Sequence, residues 1–252
     1  MNILTKFKFA MKHPTVTLRY LLGDKKAVYY QKRRDIVDNA IRTLGIRERT
    51  KLNECLVEFD RNVNPIIKRS LDIYKKADPS SMRFYKAPLL YCLIRLIRPA
   101  IVVETGVASG ISSLSILQAL NRNDYGHLYS IDLPNVEPES SLPNGYDPGW
   151  VIPESLRKSW TLILGDSREQ LPRLLRSLKS IDVFIHDSLH TYDHMLFEFR
   201  VSWPFINVGG LLISDDIEAN SAFNDFVKEL RAEGHAIKHH VSISGLGIIK
   251  RL

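Results

Sequence analysis

The sequence has few cysteines and no long apolar run. Its two cysteines, Cys55 and Cys92, lie far apart along the chain, and we expect both to be reduced core residues of a cytoplasmic protein. No apolar run reaches the length of a membrane-spanning helix. Lys6 and Lys8 interrupt the apolar segment that a signal peptide would need. These absences favour an intracellular chain of 252 residues, long enough to bury one sizeable core.

The charge of the chain is moderately basic. Lysine and arginine exceed aspartate and glutamate by 35 − 28 = 7, and much of the excess lies in the N-terminal third. Such an excess would suit a nucleic acid, an anionic membrane surface or an acidic substrate. It is scattered, which favours a solvated helix face over a docking surface. The charge therefore leaves nucleic acid open as a partner without favouring it.

One stretch, residues 101–120, organises the rest of the chain. A β-branched run ends at Glu104, passes through a turn containing Gly106 and Gly110, and enters a segment with apolar residues at helical spacing. This pattern predicts a strand, a ligand-binding glycine turn and a helix. A dinucleotide fingerprint would need a third glycine, and Glu104 would repel a pyrophosphate. A ligand with an ammonium group and a ribose fits the turn better.

Five predicted strands alternate with helices, and a pair of strands closes the chain. Alternation of this kind predicts an α/β fold with a doubly wound, Rossmann-like, mostly parallel sheet, and the final pair predicts a C-terminal antiparallel hairpin. Each of the five strands is followed by an acid where it ends. Helix capping explains any one of these acids, but convergence at one ligand-binding edge explains the whole set better. The acids are Glu104, Asp132, Asp166, Asp187 and the pair Asp215–Asp216.

Two regions outside this pattern are harder to interpret. Residues 1–85 show helical spacing and predict an N-terminal helical extension to a domain over 86–252; a substrate cap, a homodimer surface and a wrapping role all stay open. Residues 133–159 contain five prolines and little periodicity. Long loops in compact domains are often functional, and Tyr146 and Trp150 favour packing, so we predict a lid.

Three motifs together resemble a known family. The spacing Glu104-x-Gly106-x-x-x-Gly110 is similar to the first motif of the class I S-adenosylmethionine (SAM) dependent methyltransferases. Residues 184–192 (FIHDSLHTY) and 205–217 (FINVGGLLISDDI) resemble two further motifs of its small-molecule O-methyltransferases, which act on sugars, natural products and catechols. The resemblance covers about residues 85–252 and implies SAM as the cofactor.

The resemblance also implies roles for individual residues. Glu104, Gly106, Ser109 and Gly110 would hold the methionine part of SAM, and Asp132 would bind the ribose. Asp166 and Ser167 would bind the adenine, and Asp187 would also bind the cofactor. These assignments place the cofactor along the predicted strand ends.

The acceptor side carries the predicted chemistry. By resemblance, Asp187, Asp215 and Asp216 would hold a divalent cation such as Mg²⁺, which prefers hard oxygen ligands. The sequence departs from the family at Leu189, where a second aspartate usually stands. His190 and Asp187 are the catalytic candidates, with His190 as general base because imidazole titrates near neutrality. A structural role for His190, as a helix cap or a carboxylate partner, stays open.

The leading hypothesis is methyl transfer from SAM to a hydroxyl oxygen of a small molecule, with or without a cation. The alternatives are a methyltransferase acting on RNA or protein, and a non-catalytic SAM-binding protein. The chain lacks the N/D-P-P-Y motif of amino-group methylation of bases. An NAD-dependent oxidoreductase is disfavoured by the missing third glycine. Nothing in the sequence identifies the acceptor.

Overall fold

A computed structural model describes residues 11–21, 25–46, 49–73, 86–135, 142, 145–241 and 245–252. Within these ranges the helices are α1 Pro14–Leu21, α2 Lys25–Thr43, α3 Leu52–Asn62, α4 Asn64–Ile73, α5 Ala87–Ile97, α6 Ile111–Asn123, α7 Ser167–Leu178, α8 Tyr192–Ser202 and α9 Ala222–Ala232. The strands are β1 Ile101–Thr105, β2 His127–Asp132, β3 Trp160–Leu164, β4 Ile181–His186, β5 Ile206–Ser214, β6 Ile237–Val241 and β7 Gly247–Arg251. The alternation after α5 is the one that the sequence predicts.

All seven strands form one sheet in the order β3-β2-β1-β4-β5-β7-β6. The first five are parallel, and β7 pairs antiparallel with both β5 and β6. The predicted doubly wound sheet with a closing antiparallel hairpin is therefore confirmed. Because the order reverses between β1 and β4, the carboxyl ends of these two strands border the crevice where such sheets bind ligands.

Side chains alternate between the two faces of the sheet, and each face has its own core. Val102 and Val183 pack with α5, α6 and the N-terminal helices. Val103 and Phe184 belong to the core formed with α7, α8 and α9. This period of two, with both faces covered by helices, explains the nearly continuous apolar strands in the sequence.

The N-terminal helices share the first core with the sheet. Ile41 on α2 and Phe59 on α3 are fully buried in the same cluster as Val102. Glu58 adds a polar connection, because it accepts hydrogen bonds from Tyr91 and Arg95 on α5 and from Arg122 on α6. Burial alone would raise the pKa of Glu58, but these donors lower it to about 2. The helical prediction for this region is confirmed, and its helices pack directly on the domain.

Strands β2 to β5 end at or just before the predicted acids. Strand β3 ends at Leu164, so Asp166 follows it after a glycine, and β5 begins at Ile206 and runs across Gly209 and Gly210. A 3₁₀ helix, Glu154–Ser159, lies in the segment predicted as an irregular loop. None of the helices in the described part of the chain has the length and apolarity needed to cross a bilayer.

Candidate functional site

A cavity of about 590 Å³ opens at the carboxyl edge of the parallel strands. Its wall includes the glycine turn after β1, the end of β2, the start of α7 and the segment after β4. The lining residues that matter below are Gly106, Asp132, Asp166, Ser167, Asp187 and His194. Of the predicted strand-end acids, Asp132, Asp166 and Asp187 line this cavity, whereas Glu104, Asp215 and Asp216 are not among its lining residues.

The two glycines of the first turn are required by contacts inside the protein. Gly106 has a φ of 82°, and a Cβ there would lie 2.0 Å from the backbone oxygen of Asp187. Gly110 has a φ of 93°, and a Cβ there would lie 2.8 Å from Cα of Gly149. Only glycine adopts these conformations without a steric cost. These contacts explain both glycines without a ligand, and Gly106 also lines the cavity, so the ligand-binding role of the turn stays a prediction.

Asp132 connects the end of β2 to this turn. Its Oδ2 accepts hydrogen bonds from the backbone amides of Val107 and Ala108, at 3.0 and 2.8 Å. Its Oδ1 accepts one from the amide of Leu133 at 2.8 Å. The carboxylate thus shapes the turn, and it also lines the cavity. A carboxylate has about four lone-pair positions, so one remains for a ribose hydroxyl.

Glu104 lies beneath the turn and is fully buried within β1. Its Oε2 accepts hydrogen bonds from Ser113 on α6 and from Ser130 on β2, at 2.5 and 2.9 Å. Trp160 in turn donates its indole N–H to Ser130 at 2.9 Å. Burial raises the pKa of Glu104. The structure therefore places Glu104 under the glycine turn and not in the cavity wall.

Asp166 and Ser167 form the start of α7 at the cavity edge. Asp166 caps the helix by accepting a hydrogen bond from the amide of Arg168 at 2.8 Å. Ser167 is buried, and its Oγ lies 3.0 Å from Nε2 of His194. Both predicted adenine-side residues therefore border the cavity, next to a histidine that the sequence did not single out.

A buried carboxylate, Glu198 on α8, stabilises the floor of the site. Hydrogen bonds reach it from Thr105, His186 and Ser188, and Nε2 of His194 lies 2.9 Å from its Oε1. Burial would raise the pKa of Glu198, but the hydrogen bonds from His186 and His194 outweigh it and hold the pKa well below its ordinary value. His186 is fully buried in this network.

Asp187 and His190 lie close together on the acceptor side. His190 Nε2 is 3.6 Å from Asp187 Oδ1, just outside hydrogen-bonding distance. The backbone carbonyl of His190 is anchored by the amide of Asn220 at 3.1 Å. Burial, and after it the charge of His186, lowers the pKa of His190, whereas burial and Asp215 raise the pKa of Asp187 well above its ordinary value. A neutral imidazole beside an acid is a suitable arrangement for taking up a proton.

The predicted cation position contains a lysine. Nζ of Lys86, the residue before α5, lies 2.5 Å from Asp215 Oδ1 and 2.9 Å from Asp216 Oδ1. In the described part of the chain, no three His, Cys, Asp or Glu side chains are grouped so that they could hold a metal ion. Leu189, at the position of the missing aspartate, is exposed. With an ammonium group between two of the expected ligands, these residues do not fit Mg²⁺.

The second half of the predicted lid is packed on the glycine turn. The amides of Gly149 and Val151 donate hydrogen bonds to the carbonyls of Ala108 and Ser109. Val151, Ile152 and Leu156 are buried in the main core. Residues 136–141, 143 and 144 of the predicted lid lie outside the described residues. Residues 145–159 therefore pack against the glycine turn at Ala108 and Ser109.

A family model described as a methyltransferase domain matches residues 103–217 of this chain. Residues 103–217 are therefore similar to methyltransferase domains. The match begins in β1 and ends just after Asp216, so it includes the glycine turn and the five strand ends. The predicted resemblance to the class I SAM-dependent methyltransferases is confirmed.

Solved structures show the same fold at low sequence identity. The methyltransferase PaMTH1 from Podospora anserina, bound to S-adenosylhomocysteine (SAH), has a TM-score of 0.52 and 14% identity over 79% of this chain and 88% of that one. A caffeoyl-CoA O-methyltransferase-like protein from Staphylococcus aureus has a TM-score of 0.51 and 14% identity over 81% and 100% of the two chains.

A third structure aligns more narrowly. MycE, the methyltransferase of the mycinamycin biosynthetic pathway, in complex with Mg and SAH, is 20% identical with a TM-score of 0.45. That alignment covers 60% of this chain and about 45% of the MycE chain. No curated protein sequence matched this chain.

Sequence reasoning missed three polar residues in and around the candidate site. His194 and Glu198 lie in a helix whose apolar residues attracted attention, although a histidine and a glutamate spaced i, i+4 on one helix face were a visible signal. Lys86 is 130 residues from Asp216 and has no motif around it. Only the packing of α5 against the sheet reveals its contact with the acid pair.

Proposed function

We propose that this protein transfers a methyl group from SAM to a hydroxyl oxygen of a small-molecule acceptor. The observation that carries the proposal is that one cavity is lined by Asp132, Asp166 and Asp187. His190 lies behind Asp187, with its Nε2 3.6 Å from Asp187 Oδ1. Asp132 and Asp166 suit a ribose and an adenine, and Asp187 with His190 suits a hydroxyl that must lose its proton. Methyl transfer needs this juxtaposition of donor and acceptor.

The residues present fit SAM. Asp132 retains acceptor capacity for the ribose, and the start of α7 offers Asp166 and Ser167 to the adenine edge. When bound, SAM would supply a methyl group on a positively charged sulfur. The carboxyl groups at the strand ends favour such a positive charge, whereas they would disfavour the pyrophosphate of a dinucleotide.

His190 is the proposed general base for the acceptor. Its lowered pKa keeps the imidazole neutral near pH 7, so that Nε2 can accept the hydroxyl proton. Asn220 fixes the backbone at His190, and the Glu198 network fixes the end of β4 just before it. Exposed Leu133 and Leu189 at the cavity rim provide apolar surface for the body of a small acceptor.

Calorimetry with SAM and SAH, followed by radiolabelled methyl transfer to a panel of small phenols and sugars, tests the proposal. We expect one SAM or SAH per chain and label incorporated at oxygen. Tight NAD binding without SAM binding would contradict the proposal. Label transferred only to RNA or protein, or SAM binding without turnover on any acceptor, would favour the two alternative functions.

A further inference from the structure

Lys86 forms salt bridges with Asp215 and Asp216 at the end of β5, and we call these three residues the ionic group. The side chains of Lys86 and Asp215 are 8% and 7% exposed, whereas that of Asp216 is 55% exposed. Asp215 Oδ1 also accepts the amide of Asp216 at 2.8 Å. The ionic group therefore consists of a buried pair, Lys86 with Asp215, and one carboxylate, Asp216, that is open to solvent.

The ammonium group and a divalent cation exclude one another here. Mg²⁺ would need to lie about 2.1 Å from carboxylate oxygens in octahedral geometry. Lys86 Nζ already lies 2.5 and 2.9 Å from the Oδ1 atoms of Asp215 and Asp216. Lysine has only donors and offers no lone pair to a metal. Binding a cation would require Lys86 to leave, and its buried charge would then lose both partners.

The ionic group is adjacent to the proposed base. The amide of Asp215 donates a hydrogen bond to the carbonyl of His186 at 2.8 Å, and the side chain of Asn220, four residues after Asp216, donates one to the carbonyl of His190 at 3.1 Å. Two of the three N–H donors of Lys86 are directed at the aspartates, which leaves a third for an acceptor oxygen. A positive charge at this position would stabilise the oxygen as it loses its proton.

We propose that the ammonium group of Lys86 takes the place of a divalent cation in the acceptor site. It offsets one of the two negative charges of Asp215 and Asp216 and positions the acceptor hydroxyl beside His190. Lys86 is thus a positioning residue, and the second half of this inference rests on the proposed function. The first half does not: as it stands, the site binds no divalent cation, and removal of the ammonium group creates a cation site.

Binding of Mn²⁺, followed by electron paramagnetic resonance of the free ion, tests the first half without any turnover. The wild-type protein is expected to bind no Mn²⁺ at this site, and Lys86→Met is expected to bind one. Adding Asp215→Asn to that variant should weaken the new site by at least about tenfold. Lys228→Met removes a surface lysine that pairs with Asp225 at 2.9 Å, and this matched control should behave as wild type.

Two further variants separate the possible outcomes. Lys86→Gln, which can still hydrogen bond to both aspartates, replaces Lys86→Met where circular dichroism shows that variant unfolded, and it should also bind Mn²⁺. Lys86→Arg keeps the positive charge and should exclude Mn²⁺. Wild-type binding of one Mn²⁺ that is lost in Asp215→Asn overturns the inference, as does the absence of binding in both Lys86→Met and Lys86→Gln.

Activity provides the second readout. On an accepted substrate, wild-type turnover should be indifferent to EDTA, and Lys86→Gln should raise KM for the acceptor while the Kd for SAM stays unchanged. Turnover that EDTA abolishes would overturn the inference. If no SAM binds at all, the proposed function fails, while the Mn²⁺ measurements still decide whether Lys86 occupies a cation position.

Discussion

We call the residues proposed to bind SAM the donor half of the site and those proposed to act on the acceptor the acceptor half, and the two halves are built in different ways. The donor half, from Glu104 to Ser167, is a continuous part of the chain in which carboxylates mostly bind backbone amides, as Asp132 does. The acceptor half depends on side-chain pairs between distant segments, as between Lys86 and Asp216, 130 residues apart. Backbone-mediated geometry is tied to local sequence, whereas side-chain pairing is set by how the elements pack.

The comparison has an electrostatic side as well. The donor half keeps its acids exposed to the cavity or buried among hydroxyl groups, and within the described residues the hydrogen bonds to Glu104 and Asp132 come from hydroxyl groups and backbone amides. The acceptor half contains a buried lysine whose pKa, which burial alone would lower, is raised by Asp215 and Asp216. The donor half is thus suited to a positively charged ligand, and the negative charge of the acceptor half is already partly offset.

The largest effect should come from breaking the acceptor half alone. Because a general base typically contributes a rate factor of about 10²–10⁴, His190→Gln should lower kcat by about 100-fold or more. The Kd for SAH, measured by calorimetry, should not change. His239→Gln, which alters a histidine on the outermost strand, is the control. Equal loss of SAH affinity in His190→Gln would contradict the division of the cavity.

The same variant gives a pH test. Burial lowers the pKa of His190, so its neutral form persists to lower pH than for an exposed histidine. Because the base acts only when neutral, wild-type kcat should be constant near neutral pH and fall as the pH drops through this lowered pKa. In His190→Gln this acid limb should disappear. An unchanged limb in the variant would assign the titration to another group.

Gly106→Ala should damage both halves, since Gly106 contacts the Asp187 backbone. An alanine Cβ would lie 2.0 Å from the Asp187 oxygen at a φ of 82°. Overpacking and the left-handed conformation should together lower the free energy of unfolding by about 3 kcal/mol or more. Gly234→Ala, at a φ of 81° and with no described atom within 4 Å of its added Cβ, should cost only about 1–2 kcal/mol. Chemical denaturation measures both, and equal losses would contradict the steric argument.

Asp132→Asn should weaken the donor half without affecting the acceptor half. The loss of charge-assisted hydrogen bonds should reduce SAM affinity by about 1–3 kcal/mol, measured by calorimetry. Asp182 offers a matched control, because its Oδ2 likewise accepts two backbone amides, from Ala100 and Ile101, at the opposite end of the sheet. Asp182→Asn should affect stability but leave SAM affinity unchanged. A similar loss of affinity in both variants would point to a general effect on folding.

The smallest effect should come from Ser130→Ala, beneath the donor half. It removes one donor to Glu104 and leaves the buried indole N–H of Trp160 without its partner. We expect the free energy of unfolding to fall by about 1–2 kcal/mol, with kcat unchanged at saturating SAM. Thermal denaturation measures the loss of stability, and steady-state kinetics measures kcat. A selective loss of kcat would show that the donor half and the acceptor half are coupled through β2.

Much of the fold could be predicted because its signals are local. Apolar residues with a period of two or of 3.6 mark strands and helices within a few turns of chain. The ends of β4 and β5 are marked by Asp187 and Asp215, and α6 follows the glycine turn where expected. The start of a strand is harder to predict where a glycine interrupts it, as at Gly209, because β5 continues across that residue.

The sequence by itself determined the alternation of strands and helices, the glycine spacing and the set of acids at the strand ends. Only the tertiary structure decided what each acid does. Glu104 is buried under the turn, Asp132 shapes it, and Asp215 pairs with Lys86. The physical reason is that periodicity reports which face of an element is buried, whereas the partner of a buried charge depends on how distant elements pack.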